Sequence, residues 1–224
     1  MIQITNNTFF YDMRTNFDLF RKFITQLLIG LHTLASCGIV HCDLKPENIL
    51  VKYNPATKNT DDVKIVDFGA AFVFDGAPFL TVTTPEYLPP EFLQLFSHKK
   101  SLNNRQKHSI LVKSTHPWSI DVWSLGVIIL EMLVGIPVWM SFKCVSLQVE
   151  KPTLGLFSSP SRDHEKIADK IVKFLPNLKR TLNDQVGNLP HLSLIGDLLE
   201  QMLALDPLKR PSPLDLLGHS LFSV

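Results

Sequence analysis

Two short polar segments, at the two ends of one predicted β-hairpin, constrain the fold of this chain more than any other feature. The first segment runs from His41 to Asn48, and the second begins at Asp67, nineteen residues after Asn48. Between them lie two β-prone runs, Ile49 to Lys52 and Val63 to Val66, joined by a stretch rich in Asn, Asp and Pro. Because the strands of a hairpin are antiparallel, the pattern predicts Asn48 and Asp67 side by side.

Apolar spacing predicts a long amphipathic helix ahead of the first polar segment. From Phe17 to Leu34, apolar residues recur at steps of three and four, with charged residues between them. Cys37 and Gly38 follow, and a glycine at this position favours the end of a helix. We therefore predict a helix that leads directly into the polar segment.

The rest of the chain is predicted to be mainly helical. Residues 67 to 91 show no sustained period, which is typical of an irregular loop. Residues 97 to 117 are polar and rich in Lys and Arg, which indicates a solvated surface insertion. A buried helix is predicted around Val122 to Val138, with Asp121 capping its first N–H groups. Other helices are expected near residues 91, 164–174, 192–204 and 213–218.

Composition narrows the class of protein rather than its activity. Twenty-two Lys and Arg residues against twenty-one Asp and Glu residues give a net charge of +1, so bulk charge favours neither nucleic acid nor a membrane as partner. The longest apolar run contains Ser124, Glu131 and Pro137 and falls short of the roughly 20 clean residues that a membrane helix needs. Three cysteines without metal spacing, and no signal peptide, predict an intracellular protein, cytoplasmic first and nuclear as the alternative.

Four motifs in a fixed order carry a family resemblance. They are His41-Cys42-Asp43-Leu44-Lys45-Pro46-Glu47-Asn48, Asp67-Phe68-Gly69, Thr84-Pro85-Glu86-Tyr87-Leu88-Pro89-Pro90-Glu91 and Asp121-Val122-Trp123-Ser124-Leu125-Gly126. In turn, they resemble the catalytic loop, the magnesium-binding triplet, the substrate-docking end of the activation segment and the start of the central helix of eukaryotic protein kinases. On these four matches, the chain is similar to protein kinases of the serine/threonine type.

The resemblance implies a phosphoryl-transfer site that uses ATP and Mg²⁺. Asp43 would accept the proton of the substrate hydroxyl, and Lys45 would contact the transferred phosphate. Asn48 and Asp67 offer hard oxygen ligands, which suit Mg²⁺. Lys45 and Thr84 resemble the pattern of kinases that phosphorylate serine or threonine in protein substrates, and Thr84 would bridge Asp43 and Lys45.

The same resemblance assigns supporting roles inside the fold. Leu50 would form the apolar floor under the adenine ring of ATP. His41 and Phe68 would stack in an internal hydrophobic column, and Gly69 completes the magnesium triplet.

Three further residues are expected to hold the helices and the catalytic loop together. Glu91 would pair with Arg210, and losing one partner of a buried pair typically costs about 3 to 5 kcal/mol. Asp121 resembles the family residue that holds the backbone of the catalytic loop from below.

The part of the kinase fold that lies upstream of these motifs is not evident in the sequence. About forty residues precede His41, and they contain no glycine-rich phosphate loop, no Val-Ala-X-Lys strand and no partner Glu. We therefore expect a partial kinase domain over residues 1–224: a mainly α, overall α+β, C-terminal lobe with a helical bundle and a small β-hairpin, and with the N-terminal β lobe absent. Loss of two preorganised donors would lower the rate by about 10⁴ to 10⁶, so we expect the chain alone to be nearly inactive.

Cys42 departs from the family pattern. Most members carry Arg at this position, and that Arg commonly receives an activation-loop phosphate through two hydrogen bonds. Because a thiol cannot do this, we hypothesise that a phosphate on Thr81 or Thr83 would not order the loop through the catalytic segment.

Two functions remain open from the sequence. The first is a protein serine/threonine kinase, since Asp43, Lys45, Asn48 and Asp67 are all intact. The second is a pseudokinase-like scaffold or protein-interaction module, which the low activity expected of the chain alone favours. A small-molecule phosphotransferase fits less well, because it is not expected to carry the Pro-Glu-Tyr-Leu-Pro-Pro-Glu run.

Overall fold

A short edge strand and two helices begin the chain. The protein is described from a computed structural model, which covers residues 1–4, 7–77, 80–81, 83–96, 102–135 and 164–223. Strand β1 (Ile2–Gln3) is followed by helices α1 (Asn7–Thr15) and α2 (Phe17–Ser36). The side chain of Asn16 caps α2 by accepting a hydrogen bond from the backbone N–H of Leu19 at 3.0 Å. The helix predicted over residues 17–34 is confirmed.

The β structure forms two small antiparallel sheets. Strands β2 (Ile39–Val40), β3 (Ile49–Asn54), β4 (Asn59–Ile65) and β5 (Phe72–Val73) follow α2, with a 3-10 turn at Pro46–Asn48. One sheet has the order β1-β3-β4, and the other pairs β2 with β5. Ile49 lies opposite Ile65 in the hairpin, and the backbone N–H of Val66 donates to the carbonyl of Asn48 at 2.9 Å. The predicted hairpin is confirmed.

The N-terminal strand corrects the predicted fold class. The sequence analysis predicts a C-terminal lobe alone, with one small hairpin and with the N-terminal β lobe absent. This prediction is wrong. Strand β1 precedes the first helix and pairs with β3, with Gln3 opposite Leu50, so that the sheet has three strands. A two-residue strand is too short to show an alternating pattern, and backbone hydrogen bonds to its partner, rather than its own side chains, stabilise it.

The second half of the chain packs helices around one buried helix. A 3-10 turn at Pro85–Tyr87 leads into the helices. The helices are α3 (Pro90–Leu95), α4 (Asn104–Ser114), α5 (Ser119–Val134), α6 (His164–Phe174), α7 (Leu178–Val186), α8 (Leu192–Met202) and α9 (Pro213–Leu217), with further 3-10 turns at Leu175–Asn177, Pro207–Lys209 and Ser220–Phe222. Helix α5 is apolar along nearly its whole length and is almost entirely buried. It therefore forms the centre of the hydrophobic core.

A glycine lets α8 approach this central helix closely. A Cβ atom at Gly126 would lie 2.9 Å from the Cδ2 atom of Leu203, which is closer than side chains tolerate. The backbones can therefore approach closely only because position 126 has no side chain.

The polar segment before α5 is partly helical. Helix α4 begins at a capping box in which Asn103 and Gln106 exchange hydrogen bonds, and it buries His108 and Leu111. This helix is not among those that apolar spacing predicts. Residues 97–101 of the segment lie outside the described residues.

Within the described ranges, no single helix is long and apolar enough to cross a membrane. Helices α4 and α5 meet the length and composition criteria only when they are taken together, and they meet at an angle of 79°.

Candidate active site

Three side chains from two segments form a closed hydrogen-bonded triangle. The ammonium group of Lys45 donates to the carboxylate of Asp43 at 2.8 Å and to the hydroxyl of Thr84 at 3.0 Å. The Thr84 hydroxyl in turn donates to the other carboxylate oxygen of Asp43 at 2.8 Å. The polar segment after β2 and the 3-10 turn before α3 are therefore joined at Asp43.

The environment of Asp43 keeps its carboxylate charged. Burial raises the pKa of this carboxyl group, but the hydrogen bonds and charge of Lys45, with the hydroxyls of Thr83 and Thr84, lower it by more. The pKa of Asp43 therefore lies below its ordinary value. A charged carboxylate can accept a hydrogen bond from an incoming hydroxyl group.

Asp121 holds the backbone of the two residues that precede Asp43. Its carboxylate accepts hydrogen bonds from the backbone N–H groups of His41 at 2.7 Å and Cys42 at 3.0 Å. The predicted capping role is wrong, because α5 already begins at Ser119 and the carboxylate points out of the helix towards these two N–H groups. Burial raises the pKa of Asp121, and the two N–H bonds and the His41 ring lower it by less.

The open end of the hairpin brings Asn48 and Asp67 to neighbouring positions. Asn48 immediately precedes β3, and Asp67 follows Val66, whose N–H group is bonded to the Asn48 carbonyl. The amide nitrogen of Asn48 donates to the backbone carbonyl of Asp43 at 2.8 Å and to its carboxylate at 3.2 Å. This orients the amide oxygen of Asn48 away from Asp43.

The chemistry of these donors fits a hard cation. The carboxylate of Asp67 is exposed, and its Oδ1 atom accepts a hydrogen bond from the backbone N–H of Gly69 at 3.3 Å. An amide oxygen and a carboxylate at adjacent positions are ligands that suit Mg²⁺. Among the described residues, no group of three or more His, Cys, Asp and Glu side chains is placed to hold a metal ion.

His41 joins the polar segment of residues 41–48 to the segment that carries Asp67. Its Nε2 atom lies 3.0 Å from the carbonyl oxygen of Val66, and its Nδ1 atom accepts from the backbone N–H of Asp43 at 3.3 Å. These partners place a donor N–H at Nε2 and the acceptor lone pair at Nδ1. The ring also packs edge-on against Phe68, with 4.9 Å between the ring centroids. The prediction that the two rings stack in an internal hydrophobic column is wrong for Phe68, because that residue is 47% exposed.

Leu50 lies beside the N-terminal strand. It is half-buried in β3, opposite Gln3, and the side chain of Gln3 donates to the backbone carbonyl of Glu47 at 3.1 Å. Gln3 is not among the residues that the sequence motifs single out, because it precedes all four of them.

The fully buried Arg210 and the half-buried Glu91 form an ion pair with two parallel hydrogen bonds. The distances between their nitrogen and oxygen atoms are 2.6 and 2.9 Å. Arg210 also donates to the backbone carbonyls of Ala204 and Ser119, and its guanidinium group lies 4.7 Å from the ring centroid of Trp123. The pair therefore ties α3 to α5 and to the turn before α9.

The sequence motifs do not reveal one contact at this site. The hydroxyl of Thr83 donates to the backbone carbonyl of Cys42 at 3.2 Å. The acceptor is a backbone carbonyl, which every type of residue has, so the residue type at position 42 does not indicate this bond.

Comparison with known proteins decides the family. The family model described as "Protein kinase domain" matches residues 5–222 of this chain. The chain belongs to the protein kinase family. Because the match begins at residue 5 and the chain also carries N-terminal strands, this kinase domain is not a C-terminal lobe alone.

Curated relatives of this protein kinase include several mitogen-activated protein kinases. The chain is 32% identical over 204 residues to Mitogen-activated protein kinase HOG1 of Blumeria graminis, covering 88% of this chain and 49% of the relative. It is 34% identical over 206 residues to Mitogen-activated protein kinase 7 of Arabidopsis thaliana, covering 89% of this chain and 49% of the relative. It is 35% identical over 209 residues to Mitogen-activated protein kinase homolog NTF3 of Nicotiana tabacum, covering 90% of this chain and 49% of the relative.

These comparisons confirm the resemblance to kinases of the serine/threonine type that the four motifs indicate. The kinase chain described here spans about half the length of the curated relatives that it matches.

Proposed function

We propose that this protein kinase transfers the γ-phosphoryl group of ATP to a serine or threonine hydroxyl of a protein substrate. The observation that carries the proposal is the triangle of Asp43, Lys45 and Thr84, with all three distances at or below 3.0 Å. It offers one charged acceptor and one cation at the same point, which is what transfer of a phosphoryl group to a hydroxyl requires.

Each residue has a separate task in this proposal. Asp43 accepts a hydrogen bond from the substrate hydroxyl and takes its proton as the new bond forms. Lys45 neutralises the charge on the transferred group, and Thr84 holds the side chains of Asp43 and Lys45 in position through its hydrogen bonds to both. Asn48 and Asp67 would hold Mg²⁺, which, when bound, neutralises charge on the phosphate oxygens.

The nucleotide would lie beside the N-terminal sheet. Leu50 offers an apolar side chain on β3 for the adenine ring, close to the donors at Asn48 and Asp67 on the same hairpin. The mitogen-activated protein kinases among the relatives support a protein rather than a small molecule as substrate.

The test is phosphoryl transfer from ATP with Mg²⁺ to a peptide library in which each peptide carries one serine or threonine. The longest native product containing this chain is compared with its Asp43→Asn variant. We expect the variant to lose about 10² to 10⁴ in rate, because it can no longer accept the proton. Asp18→Asn is the matched control and should keep full activity, since Asp18 lies on α2 with 84% of its side chain exposed.

Equal transfer by the wild type and Asp43→Asn would overturn this proposal. That result would favour the alternative function, a pseudokinase-like scaffold or protein-interaction module.

A further inference from the structure

Two consecutive threonines connect to two consecutive residues of the catalytic loop. Thr84 donates to the side chain of Asp43 at 2.8 Å, whereas Thr83 donates to the backbone carbonyl of Cys42 at 3.2 Å. The Thr83 hydroxyl also lies near the Asp43 carboxylate and lowers its pKa, but the proton of this hydroxyl points to the carbonyl of Cys42. Thr83 is half-buried, so water competes only in part for its hydroxyl group. The loop and the segment before α3 are thus joined both through a catalytic side chain and through the backbone next to it.

The backbone of Cys42 needs such support. Its φ angle is +62°, a left-handed conformation that side chains other than glycine disfavour. Its N–H group is held by the Asp121 carboxylate at 3.0 Å, and its carbonyl is held by Thr83. The two contacts fix the residue from both ends, directly before Asp43.

The side chain of Cys42 cannot take over this role. The residue is fully buried, and burial, followed by the charges of Asp121 and Asp43, raises the pKa of its thiol well above the ordinary value. The thiol is therefore neutral and enclosed in the core.

We propose that Thr83 is a positioning residue, whose neutral hydroxyl clamps the carbonyl of Cys42 and thereby orients Asp43 without a phosphate on the activation segment. The inference rests on the proposed phosphoryl transfer for its effect on rate, but the clamp itself can be measured without it.

Two variants of Thr83 distinguish the effect of the hydroxyl group from the effect of side-chain volume. Thr83→Val removes the hydroxyl and keeps the shape, and Thr83→Ser keeps the hydroxyl. With ATP, Mg²⁺ and the peptide library, we expect Thr83→Val to lower kcat by about two- to tenfold, which corresponds to one lost hydrogen bond. KM for ATP should change little, and Thr83→Ser should keep most of the wild-type kcat.

A second measurement reports the clamp directly. Cys42-Asp43 is the only Cys-Asp pair in the sequence, so labelling Cys with ¹³C at the carbonyl and Asp with ¹⁵N gives a single HNCO cross-peak for it. Loss of the bond should move the Cys42 carbonyl resonance upfield in Thr83→Val, while Thr83→Ser should resemble the wild type. If Thr83→Val does not fold, Thr83→Ala serves in both experiments.

The outcomes distinguish this inference from the proposed function. An unchanged Cys42 resonance in Thr83→Val, or an equal loss of kcat in Thr83→Val and Thr83→Ser, would overturn the clamp. A shifted Cys42 resonance in Thr83→Val, together with no phosphoryl transfer by the wild type, would support the clamp and overturn the proposed function.

Discussion

At the scale of single residues, Arg210 shows how one buried charge can organise several elements. Its side chain is fully buried and donates to Glu91, to the carbonyls of Ala204 and Ser119, and lies against Trp123. A cation taken out of water needs this many partners, because its lost hydration must be replaced.

We therefore predict that Glu91→Gln lowers the free energy of unfolding by about 3 to 5 kcal/mol, because Arg210 keeps its charge without a counter-ion. Urea unfolding at pH 7 measures the change. The matched control is Glu200→Gln, which removes an acidic partner of Lys179 at 2.8 Å from an exposed pair and should cost much less. Equal losses in the two variants would contradict the account.

At the scale of elements, a small polar cluster joins α1 to the β3–β4 hairpin. Asp12 on α1 is buried, accepts a hydrogen bond from the Tyr53 hydroxyl on β3, and pairs with Lys58 in the hairpin turn at 3.0 Å. The bond from Tyr53, followed by that from Lys58, lowers the pKa of Asp12. Burial, followed by Asp12, raises the pKa of Tyr53 to about 12.

This cluster predicts a pH-dependent loss of stability in Tyr53→Phe. Because the folded-state pKa of Asp12 is depressed, its contribution is present above the unfolded pKa of about 3.9 and is lost as the pH falls through the folded value. The variant should therefore be less stable than the wild type at pH 7, and the gap should narrow below pH ~4. Urea unfolding at pH 7, 5 and 3 measures it.

Tyr11→Phe serves as the control for this prediction, since Tyr11 is on the same helix with 63% of its surface exposed. A gap between wild type and Tyr53→Phe that stays constant from pH 7 to pH 3 would show that Asp12 does not contribute in this way.

At the scale of the whole molecule, the sequence predicts the elements that have strong periodic patterns. Helices α2, α5, α6, α8 and α9, and the β3–β4 hairpin, follow from their apolar spacing and turn residues. Strand β1 is too short to have a pattern, and helix α4 has only two buried residues among its eleven, so neither could be predicted this way.

The candidate site was predictable in its side chains but only in part in its backbone contacts. The residue types at Asp43, Lys45, Asn48 and Asp67 are dictated by their chemistry, and the motifs therefore name them. The contact of Asp121 with the backbone of the catalytic loop is implied by the family resemblance. By contrast, the bond from Thr83 to the carbonyl of Cys42 depends on φ and ψ angles that only the folded chain defines.

The central claim, that Asp43, Lys45, Asn48 and Asp67 surround one bound triphosphate, is tested most directly by a crystal structure. The longest native product is crystallised with Mn²⁺ in place of Mg²⁺ and a non-hydrolysable ATP analogue, and anomalous scattering locates the metal. We predict a manganese peak coordinated by the Asn48 amide oxygen and the Asp67 carboxylate, with the γ-phosphate beside Lys45. A nucleotide bound elsewhere, or a metal that contacts neither Asn48 nor Asp67, would contradict the account.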